Sequence, residues 1–248
     1  MRSKVGALLL LSTVISFNVQ AELGFGVGFS KTQSPYRSVS SSPNTIPAYL
    51  SYEGEKGYFR GIEGGLHLWS RGERGKKLTI SALAAGRLEG YKASDSYYLE
   101  GMKRRDWSLD LGLGANFQLG YNRFTAKVLT DALGRHKGQA LDLGYAYIMP
   151  ITEKLMLIPG GNVTWLSDNL LDYYFGVTPE EATLNRKAYE AASGTQLKAS
   201  LLVNYTLTKN TSLMLVASAR RLPTSVIDSP LVDRSYTSGV FGAVNFTF

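Results

Sequence analysis

The C-terminal end of the chain alternates between apolar and small or polar side chains, and it ends on a phenylalanine. The apolar members are Val240, Val244, Phe246 and Phe248. The residues between them include Thr237, Gly239, Asn245 and Thr247. A period of two indicates a strand with one apolar and one polar face. The last strand is therefore expected to separate an apolar environment from a polar one.

The N-terminus has the pattern of a secretory signal peptide. Arg2 and Lys4 form a charged region, and residues 5–17 form an apolar core that is too short to span a bilayer. Residues 19–21 fit a cleavage site, so we expect residues 1–21 to be removed and the mature chain to begin at Glu22. The alternative is a signal anchor that stays in the membrane.

After Ala21 no apolar run approaches the roughly 18–20 residues that a spanning helix needs. An exported chain of this kind can cross a membrane only as a closed barrel, because lipid leaves strand edges without hydrogen bonds. With its amphipathic last strand, the chain looks like a β-barrel of the outer membrane of a Gram-negative bacterium. In such barrels the terminal strand carries the recognition signal for the insertion machinery, here Val244, Phe246 and Phe248.

Composition agrees with an exported barrel of one domain, residues 22–248. The chain has no Cys, so strand pairing and not disulfides must stabilise it. The formal net charge is +7, which becomes +5 once the two cations Arg2 and Lys4 are removed. In this compartment the basic excess favours outer-membrane lipid, lipopolysaccharide and cell-wall carboxylates as partners, and not nucleic acid.

Eleven segments have the length and alternation of tilted membrane strands. They are 22–32, 45–53, 57–70, 76–90, 105–119, 122–134, 138–149, 154–168, 195–208, 211–221 and 235–248. Single-chain bacterial barrels have even strand numbers. We therefore expect an all-β, closed antiparallel barrel of twelve strands, with ten as the alternative. The missing strand is expected within 57–70, where Gly61, Gly64 and Gly65 allow a tight turn.

The connections divide into two classes, which predicts the orientation of the barrel. If the C-terminus is periplasmic, the short turns 208–211, 151–154 and 120–122 are also periplasmic. The long segments 91–104, 169–194 and 222–234 then all lie outside, as outer-membrane barrels require. Trp69, Trp107 and Trp165 are expected in the interfacial girdles.

The long outer loop 169–194 has the signals of a short helix. Thr178 is the predicted N-cap, and Glu181 three residues later completes a capping box. The helix is expected to run to about Ala192, with Gly194 as its C-cap. A helix in a loop of this length is expected to cover or enter the barrel mouth.

The same loop is similar to the signature of the MipA/OmpV family of outer-membrane proteins. The matching positions are Asp172, Tyr173, Tyr174, Phe175, Gly176, Val177, Thr178, Pro179, Glu180, Glu181, Ala182 and Tyr189. Further matches in family order are 47–54, 59–61, 99–102, 136–138, 228–232 and Phe248. Residues 184–186, Leu-Asn-Arg, depart from the Ser-Gly-Leu turn of many members.

The resemblance implies a scaffold that brings a murein lytic transglycosylase together with a murein synthase, and it implies no enzyme activity and no cofactor. A narrow porin-like channel or an adhesin is the alternative, because other members of the family are described in those terms.

The sequence contains only weak signals for a catalytic site or a metal site. The two histidines are His67 and His136, and His136 follows Asp131 near an outer strand end. An Asp–His pair is part of nucleophilic catalysis, but no serine is marked as a partner. With no Cys and two distant His, no metal-ligand spacing is present. Lys103, Arg104 and Arg105 beside Trp107 are the predicted contact for lipopolysaccharide phosphates, with an ordinary charged loop edge as the alternative.

Overall fold

The computed structural model describes residues 22–39, 44–73 and 75–248, with the backbone alone for residues 44–48. The predicted signal peptide, residues 1–21, lies outside the described residues. Among the residues that the structure describes, no helix is both long enough and apolar enough to cross a membrane.

Within the described ranges, thirteen strands form one antiparallel sheet, and twelve of them close into a ring. The strands are β1 (Glu22–Thr32), β2 (Asn44–Glu53), β3 (Gly57–Arg60), β4 (Glu63–Glu73), β5 (Lys76–Arg87), β6 (Ser108–Leu119), β7 (Asn122–Asp131), β8 (Gln139–Tyr147), β9 (Met149–Pro150), β10 (Leu155–Leu166), β11 (Gly194–Thr208), β12 (Thr211–Arg221) and β13 (Tyr236–Thr247). Consecutive strands pair with each other, except that β8 pairs with β10, and β1 pairs with β13 to close the barrel. The two-residue β9 is an extra piece beside β10. The predicted closed barrel of twelve strands is confirmed.

The strand missing from the sequence count lies within 57–70, as predicted. β3 has only four residues, and β4 begins again at Glu63. The turn between them places Gly61 at φ +64°, a backbone conformation that glycine adopts without steric cost. A side chain at Gly61 would also press on the Tyr49 ring, 3.2 Å from the position of its Cβ.

The two faces of the wall follow the alternation of the sequence. On β6, Leu111 is 47% exposed and Leu113 is 57% exposed, whereas Asp110, the residue before Leu111, is buried. The same outward apolar set continues around the barrel with Leu23, Phe25, Val27, Phe29, Val128, Leu141, Leu143, Val163, Leu201, Leu213 and Leu215. These side chains cover the lipid-facing surface, because every second residue of a strand points to the same side.

The ends of the barrel differ in the way that the sequence predicted. The short connections between β6 and β7, β9 and β10, and β11 and β12 lie at the end that holds Phe248. There the Phe248 amide donates to the Leu23 carbonyl at 3.0 Å. Within β13, Val244 pairs with Val27 and Phe246 pairs with Phe25, so residues of the predicted assembly signal lie in the closing seam. The long connections gather at the opposite, outer end.

The predicted helix over 178–192 is wrong in its position. The loop helix is α1 (Asp168–Phe175), and only a single 3₁₀ turn, residues 179–181, follows the Thr178–Glu181 capping box. The backbone after that turn forms two isolated bridges, Val177–Tyr189 and Thr183–Arg186, which are incompatible with a continuous helix. Gly194 begins β11 instead of ending a helix.

Candidate functional site: the loop cap and the barrel lumen

The outer loops pack against one another into a continuous apolar cluster, which we call the loop cap. Its buried members are Tyr36, Tyr91, Leu99, Met102, Ala140, Leu166, Leu170, Leu171, Tyr174, Phe175, Val177, Ala191, Leu222, Val226, Leu231 and Val232. They come from all the long outer connections that the structure describes, except the β7–β8 loop. A core assembled from separate loops holds each of them in place, so the outer mouth is covered by folded structure.

Helix α1 is at the centre of the loop cap. Its side chains at positions 170, 171, 174 and 175 are all buried, which is one apolar face of a helix. Its free C-terminal carbonyls are satisfied by other loops: Tyr36 Oη donates to the Tyr174 carbonyl at 3.3 Å, and Ser229 Oγ donates to the Phe175 carbonyl at 2.6 Å. Tyr174 Oη donates to the Asp106 carbonyl at 3.2 Å. Of the three consecutive aromatic residues in the family-like motif, Tyr174 and Phe175 are therefore buried in the cap and Tyr173 packs against it.

Glu181 joins the 3₁₀ turn to the loop between β5 and β6. Its side chain is 2% exposed and lies 2.9 Å from Arg105 Nη2. It also accepts from the Lys103 amide at 2.7 Å and the Thr178 amide at 3.2 Å. Burial alone raises the pKa of Glu181, but the hydrogen bonds from Arg105 and from these amides outweigh it, so that the pKa lies below its usual value.

The three predicted lipopolysaccharide contacts have different surroundings. Arg105 points into the cap, where Nε donates to the Tyr173 carbonyl at 2.7 Å and Nη2 pairs with Glu181. Lys103 and Arg104 are exposed, and Arg104 forms an ion pair with Asp106. A lipopolysaccharide contact stays a prediction for Lys103 and Arg104, whereas Arg105 is engaged in holding two loops together.

Arg186 is a cap residue whose role sequence reasoning missed. It is 4% exposed, and its guanidinium donates to the carbonyls of Glu181 at 2.8 Å, Glu100 at 3.0 Å and Tyr98. Leu184, at the tip of the same turn, is fully exposed. Arg186 thus connects two outer loops, and it lies in the segment 184–186 that departs from the turn of many family members. That departure was the only feature of the sequence that pointed to Arg186.

His136 lies at the outer end as predicted, and its side chain is buried. Its Nε2 is 3.0 Å from Asp110 Oδ1, and its Nδ1 accepts the Gly138 amide at 3.0 Å. Because Nδ1 accepts, the ring proton is assigned to Nε2, which donates to Asp110. Asp110 is held from its other side by Arg87 at 2.6 Å.

The donors and acceptors of this cluster are matched internally. Asp110, Asp131 and His136 bring one ligand atom each within 4.8 Å of one another. However, Asp131 accepts from Ser108 Oγ at 2.7 Å and from the amides of His136 at 2.7 Å and Lys137 at 2.8 Å. Both ring nitrogens of His136 are engaged as well, so it has no free lone pair for a nucleophile or a metal ion. The cluster shapes the β7–β8 loop. The other histidine, His67, is hydrogen-bonded through Nδ1 to Ser81 Oγ at 2.9 Å.

Beneath the cap the lumen contains a chamber of about 200 Å³ with charged walls. Its charged lining consists of Glu63, Arg87, Glu89, Asp110, Lys127, Asp142, Lys198 and Arg220. Lys127 pairs with Glu63 at 2.6 Å, and Arg220 pairs with Glu89 at 2.9 Å. Four cationic and four anionic side chains therefore line the chamber, and several of them are paired across it.

A second cavity, of about 210 Å³, lies at the end that holds the C-terminus. Its lining includes the first residues of β1, the last residues of β13 and the turn residues Thr208 and Lys209. Tyr49, Ile158, Leu202 and Met214 form its apolar side and also belong to a cluster of buried inward side chains with Val216 and Phe241. We call this the lower cavity.

The closed ring of amphipathic strands, the apolar outer face and the one-sided long loops define an outer-membrane β-barrel. The chain belongs to the family described as MltA-interacting protein MipA, whose profile matches residues 23–248. It is 28% identical over 247 residues to the "MltA-interacting protein" of Escherichia coli (strain K12), with 98% of this chain and 97% of that protein covered. It is 27% identical over 184 residues to "Outer membrane protein OmpV" of Vibrio cholerae, with 74% and 70% covered.

One solved structure that aligns with this chain is described as an outer membrane channel. The COG4313 outer membrane channel from Pseudomonas putida F1 aligns with a TM-score of 0.48 at 13% identity, covering 94% of this chain and 97% of that one. No enzyme name occurs among the curated relatives reported above.

Proposed function

We propose that this protein is an outer-membrane adaptor that holds murein-remodelling enzymes, a lytic transglycosylase and a murein synthase, at the periplasmic face of the membrane. The observation that carries the proposal is the asymmetry of the barrel. Loops with a shared apolar core cover the outer mouth, while the opposite end presents short turns, exposed charges and the lower cavity. The name of the Escherichia coli relative agrees with a partner of this class.

The periplasmic rim has the chemistry of a docking surface. It exposes five lysines and three glutamates: Lys56, Lys76, Lys77, Lys154, Lys209, Glu55, Glu73 and Glu153. A basic excess on rigid strand ends attracts a partner with an acidic surface and mainly increases its rate of association. The rim therefore supports recognition without a catalytic group.

The test is capture of transglycosylase and synthase from detergent-solubilised envelopes. The variant Lys76→Glu, Lys77→Glu, Lys154→Glu, Lys209→Glu reverses the rim charge, and we expect it to lose most of the captured enzyme. Its matched control, Lys103→Glu with Lys187→Glu, changes exposed lysines of the outer loops, and we expect it to capture as wild type does. Capture that is equal in both variants, or absent in wild type, refutes the adaptor.

A narrow channel is the second candidate, and the charged chamber beneath the cap favours it. Polar lumen walls are typical of barrels that conduct ions. Planar-bilayer recordings of purified protein separate the two candidates. Steady single-channel conductance supports the channel, and silence supports the adaptor.

A further inference from the structure

Two cations lie on the lipid-facing side of the wall, close to its outer edge. Lys31 continues the outward alternation of Val27 and Phe29 on β1, and it is exposed one residue before that strand ends. Arg221 continues the outward alternation of Leu215 on β12, and it is the exposed last residue of that strand. Because alternate residues of a strand point to the same side, both side chains leave the barrel outward, where hydrocarbon meets lipid head groups.

Lys31 and Arg221 have no anionic partner among the residues that the structure describes. Neither side chain forms an ion pair or a hydrogen bond there. The strand carboxylates at that end, Asp110, Asp131 and Asp142, lie on the inward side of the wall. A cation at the edge of the hydrocarbon is stabilised by anionic lipid head groups, which the long lysine and arginine side chains can reach. The anion that completes this surface is therefore expected to come from the membrane.

Strand β13 separates the two cations. Lys31 pairs with Val240 and Arg221 pairs with Tyr236, so their partners are four positions apart on β13. With the usual strand spacing and rise per residue, the Cα atoms of Lys31 and Arg221 lie roughly 16 Å apart. Tyr236 is exposed beside Arg221, while Phe29 and Val240 are exposed apolar residues next to Lys31. The surface therefore offers two separated cations at the edge of an apolar wall.

We propose that Lys31 and Arg221 bind the two phosphates of one outer-leaflet glycolipid, the lipid A part of lipopolysaccharide. Its phosphates lie at opposite ends of a disaccharide, so each cation receives one of them, and both guanidinium and ammonium groups bind phosphate through charge-assisted hydrogen bonds. The acyl chains of the same lipid lie on the outward apolar residues of β1 and β13. This site is separate from the predicted contact at Lys103 and Arg104, and it does not depend on the adaptor function.

The test is a titration of the folded barrel in detergent with lipid A, in which native mass spectrometry measures the fraction of barrel that carries lipid. The probes are diphosphoryl lipid A and its monophosphoryl form. Lys31→Gln and Arg221→Gln are each expected to weaken binding of the diphosphoryl form about fivefold, the usual value of one cation near an anionic lipid surface. One of the two variants should bind both probes equally, because the cation that it lacks is the partner of the phosphate that the monophosphoryl form lacks.

Two further variants are the controls. Arg71→Gln with Lys187→Gln removes two exposed cations that lie elsewhere, near the periplasmic end of β4 and in an outer loop, and binding is expected to be unchanged. Lys31→Arg keeps the charge at the site and should bind lipid A as wild type does. Heat-modifiable migration in electrophoresis shows that each variant is folded.

Several outcomes would overturn the proposal. Wild type that binds diphosphoryl lipid A no better than phosphatidylglycerol has no site for two phosphates. Unchanged affinity in the double variant of Lys31 and Arg221, or an equal loss in the control pair, shows that these cations are not the site. A loss that occurs only in Lys103→Gln with Arg104→Gln assigns the lipid to the outer loop instead.

Discussion

Glu89 and Arg220 form an ion pair across the barrel, with Oε1 and Nη1 2.9 Å apart. Arg220 belongs to β12, and Glu89 follows β5 by two residues; these strands are six places apart in a ring of twelve. Arg87 reaches the other Glu89 oxygen at 3.9 Å. The pair therefore braces opposite walls and anchors the start of the loop that contributes Tyr91 to the loop cap.

The first prediction concerns this brace. Glu89→Gln and Arg220→Gln are each expected to destabilise the barrel, because each leaves a partly buried charge without its partner. In the double variant the losses should be less than additive, with a coupling of about 1–2 kcal/mol. The measurement is urea unfolding of the refolded protein in lipid vesicles.

The exposed pair Asp233–Arg234 is the matched control for the brace. Both side chains are 34% exposed and adjacent in sequence, and substituting them should change stability little. Additive losses in the Glu89 and Arg220 cycle would show that the two charges do not interact across the lumen.

The second prediction concerns the lipid-facing side. Leu113→Arg places a charge on the outer surface near mid-strand and should cost about 2–4 kcal/mol. Asn116→Arg is the control for the lumen-facing side. Gly112 cannot serve as the control, because a Cβ at Gly112 would lie 1.8 Å from the Val128 carbonyl oxygen. Leu113→Arg folding with wild-type stability in vesicles would contradict the outward assignment.

The barrel could be predicted from the sequence because the side that each strand residue faces depends on its immediate neighbours in the chain. Alternation with period two determines which face each residue takes, and the even-number rule located the strand hidden at Gly61. The bounds of β1 and β12 match the prediction residue for residue. Because one side of each strand faces lipid and the other faces the lumen, a shift of one residue would place apolar side chains in the lumen, so the position of each strand is well determined by its sequence.

The loop cap could not be predicted in the same way, because its contacts join residues that are distant in sequence. The capping box at Thr178 is present, but the chain leaves the helical path after Glu181, where Arg186 donates to the Glu181 carbonyl and Arg105 holds its carboxylate. The burial of His136 could not be predicted either, because the sequence does not show that Asp110 from β6 meets it. Contacts between residues distant in sequence therefore determine both the end of the helical turn at Glu181 and the burial of His136.

The third prediction concerns assembly. Phe248 is 77% exposed and donates its amide to Leu23, so it adds little to the packed core but completes the closing seam. Deletion of Phe248, or Phe248→Asp, should therefore lower the amount of heat-modifiable barrel in the outer membrane more than it lowers the stability of refolded protein. Normal membrane levels in both variants would contradict its role in the assembly signal.

The fourth prediction is a pH dependence of the loop cap. The pKa of Glu181 is depressed in the folded state, so its contribution to stability is present above the unfolded value of about 4.3 and is lost as the pH falls through the folded value. We expect the hydrogen-exchange protection factors of residues 169–194, taken relative to the intrinsic exchange rate at each pH, to fall in this acidic range. Glu181→Gln should show the lower protection already at neutral pH and little further change on acidification.

Wild-type protection factors that are as high in acid as at neutral pH would contradict this role. A control for general acid unfolding is the protection of β6 amides in the same sample, which should stay high while that of the cap falls.

The last prediction concerns His136. His136→Ala removes a side chain that joins Asp110 to the Gly138 amide, so it should destabilise the β7–β8 loop by about 1–3 kcal/mol. We expect no lipase, protease or lipid A deacylase activity in wild type, because the ring offers no free nitrogen to a nucleophile. The variant should still capture murein enzymes, since the loop lies at the end opposite to the periplasmic rim. A hydrolytic activity that disappears in His136→Ala, while the barrel stays folded, would show instead that Asp110, Asp131 and His136 are catalytic.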